Sequence, residues 1–317
     1  MAKSVKTFLK AAAGVTVACL AVGEFAYERI LSRKFTSSEN DCRMINPDET
    51  EFYGKPEAQK DADSWFVAMR PEDTYLVGST GKKMHANIFM QSENTDKWAI
   101  VIHGYTSSPR GMAPQGRFFY NKGFNVLMPT MISFGKDEQK YCSMGYHDRY
   151  YIKDWINYIL SINTDAQIAI LGVSMGSATT MLVTGEEDLP QNVKCAIADC
   201  GYTSCWEEFS TQCTAMYKVP AFPVMNFVNT VSKLRGNFDF KKCSPLLAVS
   251  KSVTPTLFIH GELDTFVPYR MMGRLFDACT AEKEKLSIPD ATHANSVDIH
   301  PEIYFPAVGK FVDRYIK

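Results

Sequence analysis

Ser174 stands in the run Gly172-Val173-Ser174-Met175-Gly176, which directly follows the apolar stretch Ala169-Ile170-Leu171. A buried strand entering Gly-x-Ser-x-Gly suits a serine on a sharp strand-to-helix turn, its hydroxyl pushed clear of the backbone. Glycine tolerates backbone angles that a Cβ forbids, which such a turn requires. The helix-compatible Ser177 to Val183 after it supplies the context this motif needs. The chemistry suggested is nucleophilic attack on an acyl carbon. A chance Gly-Ser-Gly turn is the plain alternative. A serine hydroxyl is a weak nucleophile at neutral pH. It needs a base, a carboxylate to orient that base, and donors for the developing oxyanion.

Those groups are available downstream in the order Ser, Asp, His. His260-Gly261-Glu262-Leu263-Asp264 follows a strand-like run, and Asp290-Ala291-Thr292-His293 follows another. His293 is the candidate base, because it lies after the acid loop and before the last helix. His300 is its competitor, and His85, His103, His147 and His260 read as structural. Asp264 is the candidate acid, with Glu262 and the strand-ending Asp199 as competing carboxylates. For the oxyanion hole, one N–H is expected from Met175. The other is expected from Tyr105, in the loop His103-Gly104-Tyr105-Thr106-Ser107-Ser108.

The elements that must position these loops alternate. Thr74 to Val77 and Met84 to Met90 read as a hairpin around a glycine-containing turn. Strands are expected at 98–102, 124–129, 167–172, 193–198, 256–259 and 285–288. Helices are expected at 112–121 and 149–162, within 266–279, and at 302–315. Such alternation implies a mainly parallel sheet with helices on both faces and functional loops at the carboxyl ends of its strands. Residues 202–251 break the rhythm. They are rich in aromatic residues and methionine (Trp206, Phe209, Met216, Phe222, Met225, Phe227) and read as a small helical lid. The domain organisation expected is therefore 1–34, an N-terminal signal-anchor or amphipathic helix; 35–71, a linker with one short helix; and 72–317, an α/β domain that includes the lid.

Bulk properties narrow the function classes. The chain has 317 residues, 45% hydrophobic and 22% charged, values of a globular protein long enough for one large α/β domain with extensions or for two small domains. The formal net charge is −1 and no long basic run occurs, so nucleic acid is not an expected partner. The nine cysteines form no C-x-x-C pair and have no histidine at zinc-like spacing, which argues for free thiols and no metal. No phosphate loop or nucleotide fingerprint occurs, and no cofactor is expected. Lys3, Lys6 and Lys10 precede an apolar run from Ala11 to Gly23 that Glu24 stops. Thirteen residues are short of the roughly 20 that span a bilayer. The expectation is a membrane-associated protein held through this segment, with an ordinary docked amphipathic helix and a cytoplasmic location as the alternative.

With His103-Gly104, Gly172 to Gly176, Asp264 and His293 in this order, residues 72–317 resemble the α/β-hydrolase superfamily. The lid and the N-terminal segment look like bacterial serine aminopeptidase and prolyl oligopeptidase-like enzymes. Many such relatives carry Arg-Gly-His-Gly-x-Ser beside the site; here the segment is Ile132-Ser133-Phe134-Gly135-Lys136-Asp137, so this loop carries no substrate analogy. The resemblance implies a serine hydrolase acting on a small-molecule carboxylic ester, or alternatively on a peptide or amide. A non-catalytic binding module of the same fold is the third reading.

Overall fold

The computed structural model describes residues 19–36, 57–216 and 218–317. The expectation of a membrane-associated segment rests largely on residues 1–18, which lie outside this set. Among the described residues no helix is long and apolar enough to cross a membrane.

The chain enters through helix α1 (residues 19–31), α2 (Arg33–Thr36) and α3 (Glu57–Met69). The body then follows as β1 (Glu72–Val77), β2 (Lys83–Phe89), β3 (Lys97–Ile102), α4 (Ala113–Asn121), β4 (Asn125–Pro129), α5 (Asp148–Ile162), β5 (Gln167–Val173), α6 (Met175–Thr184) and β6 (Val193–Asp199). Helices α7 (Cys205–Ala215), α8 (Ala221–Gly236) and α9 (Pro245–Val249) come next. The chain closes with β7 (Thr256–Gly261), α10 (Arg270–Ala278), β8 (Lys283–Ile288), α11 (Ser296–Ile299) and α12 (Pro301–Tyr315).

The strands form one eight-stranded sheet in the order β1-β2-β4-β3-β5-β6-β7-β8. β2 runs antiparallel to both neighbours, and from β4 to β8 every pairing is parallel. Successive side chains of a strand point to opposite faces. In β3 and β5, Ile100, Ile102, Ile168 and Ile170 pack into one core, while Ala99, Val101, Ala169 and Leu171 pack into the other. Burial on both faces explains why these strands read as continuous apolar runs rather than alternating ones.

Two regions outside residues 72–317 join the body. Trp65 and Phe66 of α3 pack on Phe89, Trp65 stacking at 4.8 Å between ring centroids. The linker expected at 35–71 thus carries a helix docked on the sheet. Tyr27 and Leu31 of α1 are buried in the core beside β3 and α5. Backbone bonds from Arg33 N–H to the Lys140 carbonyl (2.7 Å) and from Cys142 N–H to the Leu31 carbonyl (2.8 Å) fix the exit of α1. Within the expected lid, α9 belongs to the body: a Cβ on Gly185 would sit 2.7 Å from Ala248. Helices α7 and α8 are what stands over the sheet edge.

Candidate active site

Ser174 ends β5 and caps α6 with φ +55° and ψ −114°, a left-handed conformation that side-chain-bearing residues rarely hold. Close packing enforces it. A Cβ on Gly172 would lie 2.1 Å from the Gly176 carbonyl oxygen, and one on Gly176 would lie 2.2 Å from the Ile102 carbonyl oxygen. The Ser174 N–H donates to the Asp199 carbonyl at 2.9 Å, tying the turn to the end of β6. Its side chain is thereby aimed off the sheet edge rather than along the helix.

Ser174 Oγ lies 2.8 Å from His293 Nε2, and His293 Nδ1 lies 2.8 Å from Asp264 Oδ2. A carboxylate only accepts, so Nδ1 carries the proton and the neutral ring leaves Nε2 to accept from the Ser174 hydroxyl. Asp264 Oδ1 accepts the Val267 N–H at 2.9 Å. His260 Nε2 donates to the Val267 carbonyl at 2.8 Å and stands 3.2 Å from Asp264 Oδ2. Burial by itself raises the Asp264 pKa. The charge of His293 and the bonds from His260 and His293 outweigh it and bring the value to about 2. For His293 burial disfavours the cation, but the Asp264 charge and hydrogen bond, joined by Cys200, raise its pKa well above the ordinary imidazole value.

The acid and base loops are laced together. The Glu262 N–H donates to the Ile288 carbonyl (3.0 Å) and the Leu263 N–H to the Ala291 carbonyl (2.9 Å). Gly261 permits this approach, since a Cβ there would meet the Ala291 oxygen at 2.3 Å.

The competing residues sit elsewhere. Glu262 is exposed, and His300 pairs with Glu302. Asp199 is buried beneath the site; burial raises its pKa to about 7, and its Oδ1 has no hydrogen-bond partner among the described residues. Cys200, Asp264 and His293 bring ligand-type atoms within 4.8 Å of one another. The facing atoms of Asp264 and His293 are already bonded to each other, and burial lifts the Cys200 thiol to about 11, so the donor set fits a hydrogen-bonded chain better than a metal.

Met175 is the first residue of α6, so its N–H is among those a helix leaves without an intrahelical acceptor. A Cβ on Gly104 would sit 3.4 Å from Ser174 Cβ, which places the Tyr105 loop against the serine. His103 braces that loop. Its Nδ1 donates to the Gly104 carbonyl (2.8 Å) and its Nε2 accepts the Met131 N–H (3.1 Å), while burial lowers its pKa to about 4.

A family model described as the α/β-hydrolase fold matches residues 98–252. This chain has the α/β-hydrolase fold. The hydrolase is 28% identical over 226 residues to YqkD, an uncharacterised protein of Bacillus subtilis, across 70% of this chain and 72% of that one. Its fold is shared with the Pyrococcus furiosus esterase Pf2001 (TM-score 0.65, 21% identity, 80% of this chain and 95% of that one). It is shared too with the Pyrococcus horikoshii acylaminoacyl peptidase (TM-score 0.59, 16% identity, 78% of this chain and 42% of that one).

One acid of the hydrolase escaped the sequence reading. Asp148 lies buried at the start of α5 and accepts from Ile132 N–H (2.9 Å), Gly145 N–H (3.0 Å) and the Ser143 hydroxyl. It organises the loop whose sequence departs from that of relatives, and burial raises its pKa to about 6. The pair Glu207 and Glu208 divides. Glu207 faces outward to Arg274, whereas Glu208 is buried, with Gln212 on Oε1 and no partner on Oε2 among the described residues. Burial raises its pKa to about 8, and it feels the charges of His293 and Asp264. A helix-face pattern in the sequence could have separated the two; the electrostatic link to His293 could not be read there.

Proposed function

We propose that this hydrolase cleaves carboxylic esters, with Ser174 as nucleophile, His293 as general base and acid, and Asp264 as the group that orients and charges His293. The observation that carries the reading is the unbroken run of two 2.8 Å contacts from Ser174 Oγ through His293 to Asp264. In this cycle Ser174 Oγ attacks the ester carbonyl carbon while its proton passes to His293 Nε2. The N–H groups of Tyr105 and Met175 are assigned to the oxyanion. The tetrahedral intermediate collapses, the bond to the alcohol oxygen breaks, and His293 returns the proton to that oxygen. Water then enters by the same route and frees the acid. No cofactor takes part in this scheme.

A second reading, as an amidase or peptidase, is favoured by the buried Glu208 carboxyl, which feels the charge of His293 and has an unpartnered oxygen among the described residues for a substrate amino group. The narrower kinship to serine aminopeptidase and prolyl oligopeptidase-like enzymes belongs to this proposal, as does membrane association through the basic and apolar residues ahead of α1. Labelling by a fluorophosphonate probe and turnover of p-nitrophenyl acetate are expected, both lost in Ser174→Ala. Normal turnover in that variant overturns the assignment. Faster turnover of aminoacyl-naphthylamides than of esters favours the second reading.

A further inference from the structure

Helix α1 closes one side of a cavity of about 260 Å³ against α7 and α8. Ala26 and Ile30 of α1 face Phe209 of α7, Met225 and Val228 of α8, and Phe240 across it. Gln212 also lines it, but its amide nitrogen donates to Glu208 Oε1 and to the Phe266 carbonyl, so its N–H donors are taken up. The walls therefore offer an entering group dispersion contacts and little else.

Hydrogen bonds tie two of its wall residues to the loops of the site. The Ile30 carbonyl accepts from the Tyr105 hydroxyl, which belongs to the loop assigned to the oxyanion. The Phe266 carbonyl held by Gln212 belongs to the acid loop, and the Phe266 ring lies 4.8 Å from the His293 ring. Exposed Val22 and Phe25 of α1 lie at its mouth. At roughly 30 Å³ for each non-hydrogen atom, the share of a water in liquid, the space holds about eight atoms. A helix of another chain, about 10 Å across with its side chains, does not fit.

We propose that this cavity receives the acyl chain of the substrate and selects medium-length acyl esters of about six to ten carbons. The inference rests on the ester-hydrolase reading of Ser174. Helix α1, which the sequence read as an anchor or an amphipathic segment, is then part of the specificity apparatus.

The test is kcat/KM over p-nitrophenyl esters from acetate to palmitate, using the full chain. The expected profile rises by up to about fourfold per added methylene, the ~0.8 kcal/mol of burying one CH₂. It levels beyond about ten carbons, where the space is full. Ala26→Trp on α1 and Val224→Trp on α8, both lining residues, fill the cavity from opposite walls. Each is expected to keep acetate turnover and to lose at least about tenfold on octanoate esters, the loss of two or more buried methylenes. A flat profile in the native protein, or a profile unchanged in both filled variants, overturns the proposal. Titration calorimetry of Ser174→Ala with octanoate reports on the cavity without turnover. Binding that Ala26→Trp abolishes supports the proposal, and no binding counts against it. Should no ester turn over and Ser174 stay unlabelled, the serine reading has failed, and the octanoate titration still decides the cavity.

Discussion

His260 Nε2 stands 3.2 Å from Asp264 Oδ2, the same oxygen that His293 Nδ1 reaches at 2.8 Å. One carboxylate oxygen thus serves two imidazoles, one from the end of β7 and one from the loop after β8. His260 is a positioning residue: it holds the acid loop through Val267 and keeps Asp264 from rotating.

His260→Ala is expected to lower kcat by about tenfold to a hundredfold, the range lost when the supporting partner of a functional side chain is removed. KM should stay near its native value. The acid limb of the pH profile should move as well, which a purely structural defect would not cause. Stopped-flow rates across pH check this, and a variant with native kcat and an unmoved limb contradicts the role.

Asp264 and Asp199 separate by substitution. Asp264→Asn leaves His293 in the wrong tautomer and is expected to cost about 10³- to 10⁴-fold in kcat. Asp199→Asn should leave activity within severalfold of native. Its effect falls on stability instead. Burial raises the Asp199 carboxyl to about 7 in the folded chain, against an ordinary value of 3.8. The native state therefore keeps a proton that the unfolded state has released, and stability declines as pH rises from about 4 through 7. Urea midpoints at pH 5 and pH 8 should differ less in Asp199→Asn than in the native protein. An unchanged difference rules this account out.

The raised His293 pKa fixes the direction of the activity profile. The base must be neutral to take the serine proton, so kcat/KM falls as pH drops through that value. The midpoint of the acid limb is expected above about 6.5, the unperturbed histidine value. In Asp264→Asn the negative charge is gone and the residual limb should shift to lower pH. A native limb below pH 6 would count against the His293 assignment.

Gly172→Ala tests the turn itself. The added methyl lies 2.1 Å from the Gly176 carbonyl oxygen, backbone that cannot yield without displacing α6. Overpacking of this kind costs about 1–3 kcal/mol and more where nothing can give. A fall in thermal midpoint together with loss of fluorophosphonate labelling is the expected outcome. Native stability in this variant would show that the turn has slack.

The positions of Ser174, Asp264 and His293 were legible because each sits where an apolar run stops. Strand ends are visible as abrupt losses of Ile, Leu, Val and Ala. The parallel sheet was legible for the same reason, its strands being buried on both faces. What was hidden shares a different cause. Asp148 and Glu208 have no distinguishing neighbours in sequence, and their burial comes from chain segments far away. The docking of α1 was hidden because an apolar stripe does not say whether it meets lipid or protein. Tyr27, buried against Tyr141, answers that for the described part of the helix.

The order β5-β6-β7-β8 makes His293 the keystone of an arch. Ser174 follows β5 and the histidine loop follows β8, three strand spacings away, or about 14 Å at 4.8 Å each. The loop must lean back over the ends of β7 and β6 to close that span. Asp264 rises from the first as a pier. From the second comes Cys200, fully buried, its sulfur within 4.8 Å of an imidazole nitrogen. The headroom under the arch is therefore the size of one thiol. Cys200→Leu or Cys200→Phe would lift the keystone from Ser174 while leaving all three reacting groups in the sequence, so the clearance of the whole device is set by a side chain outside them.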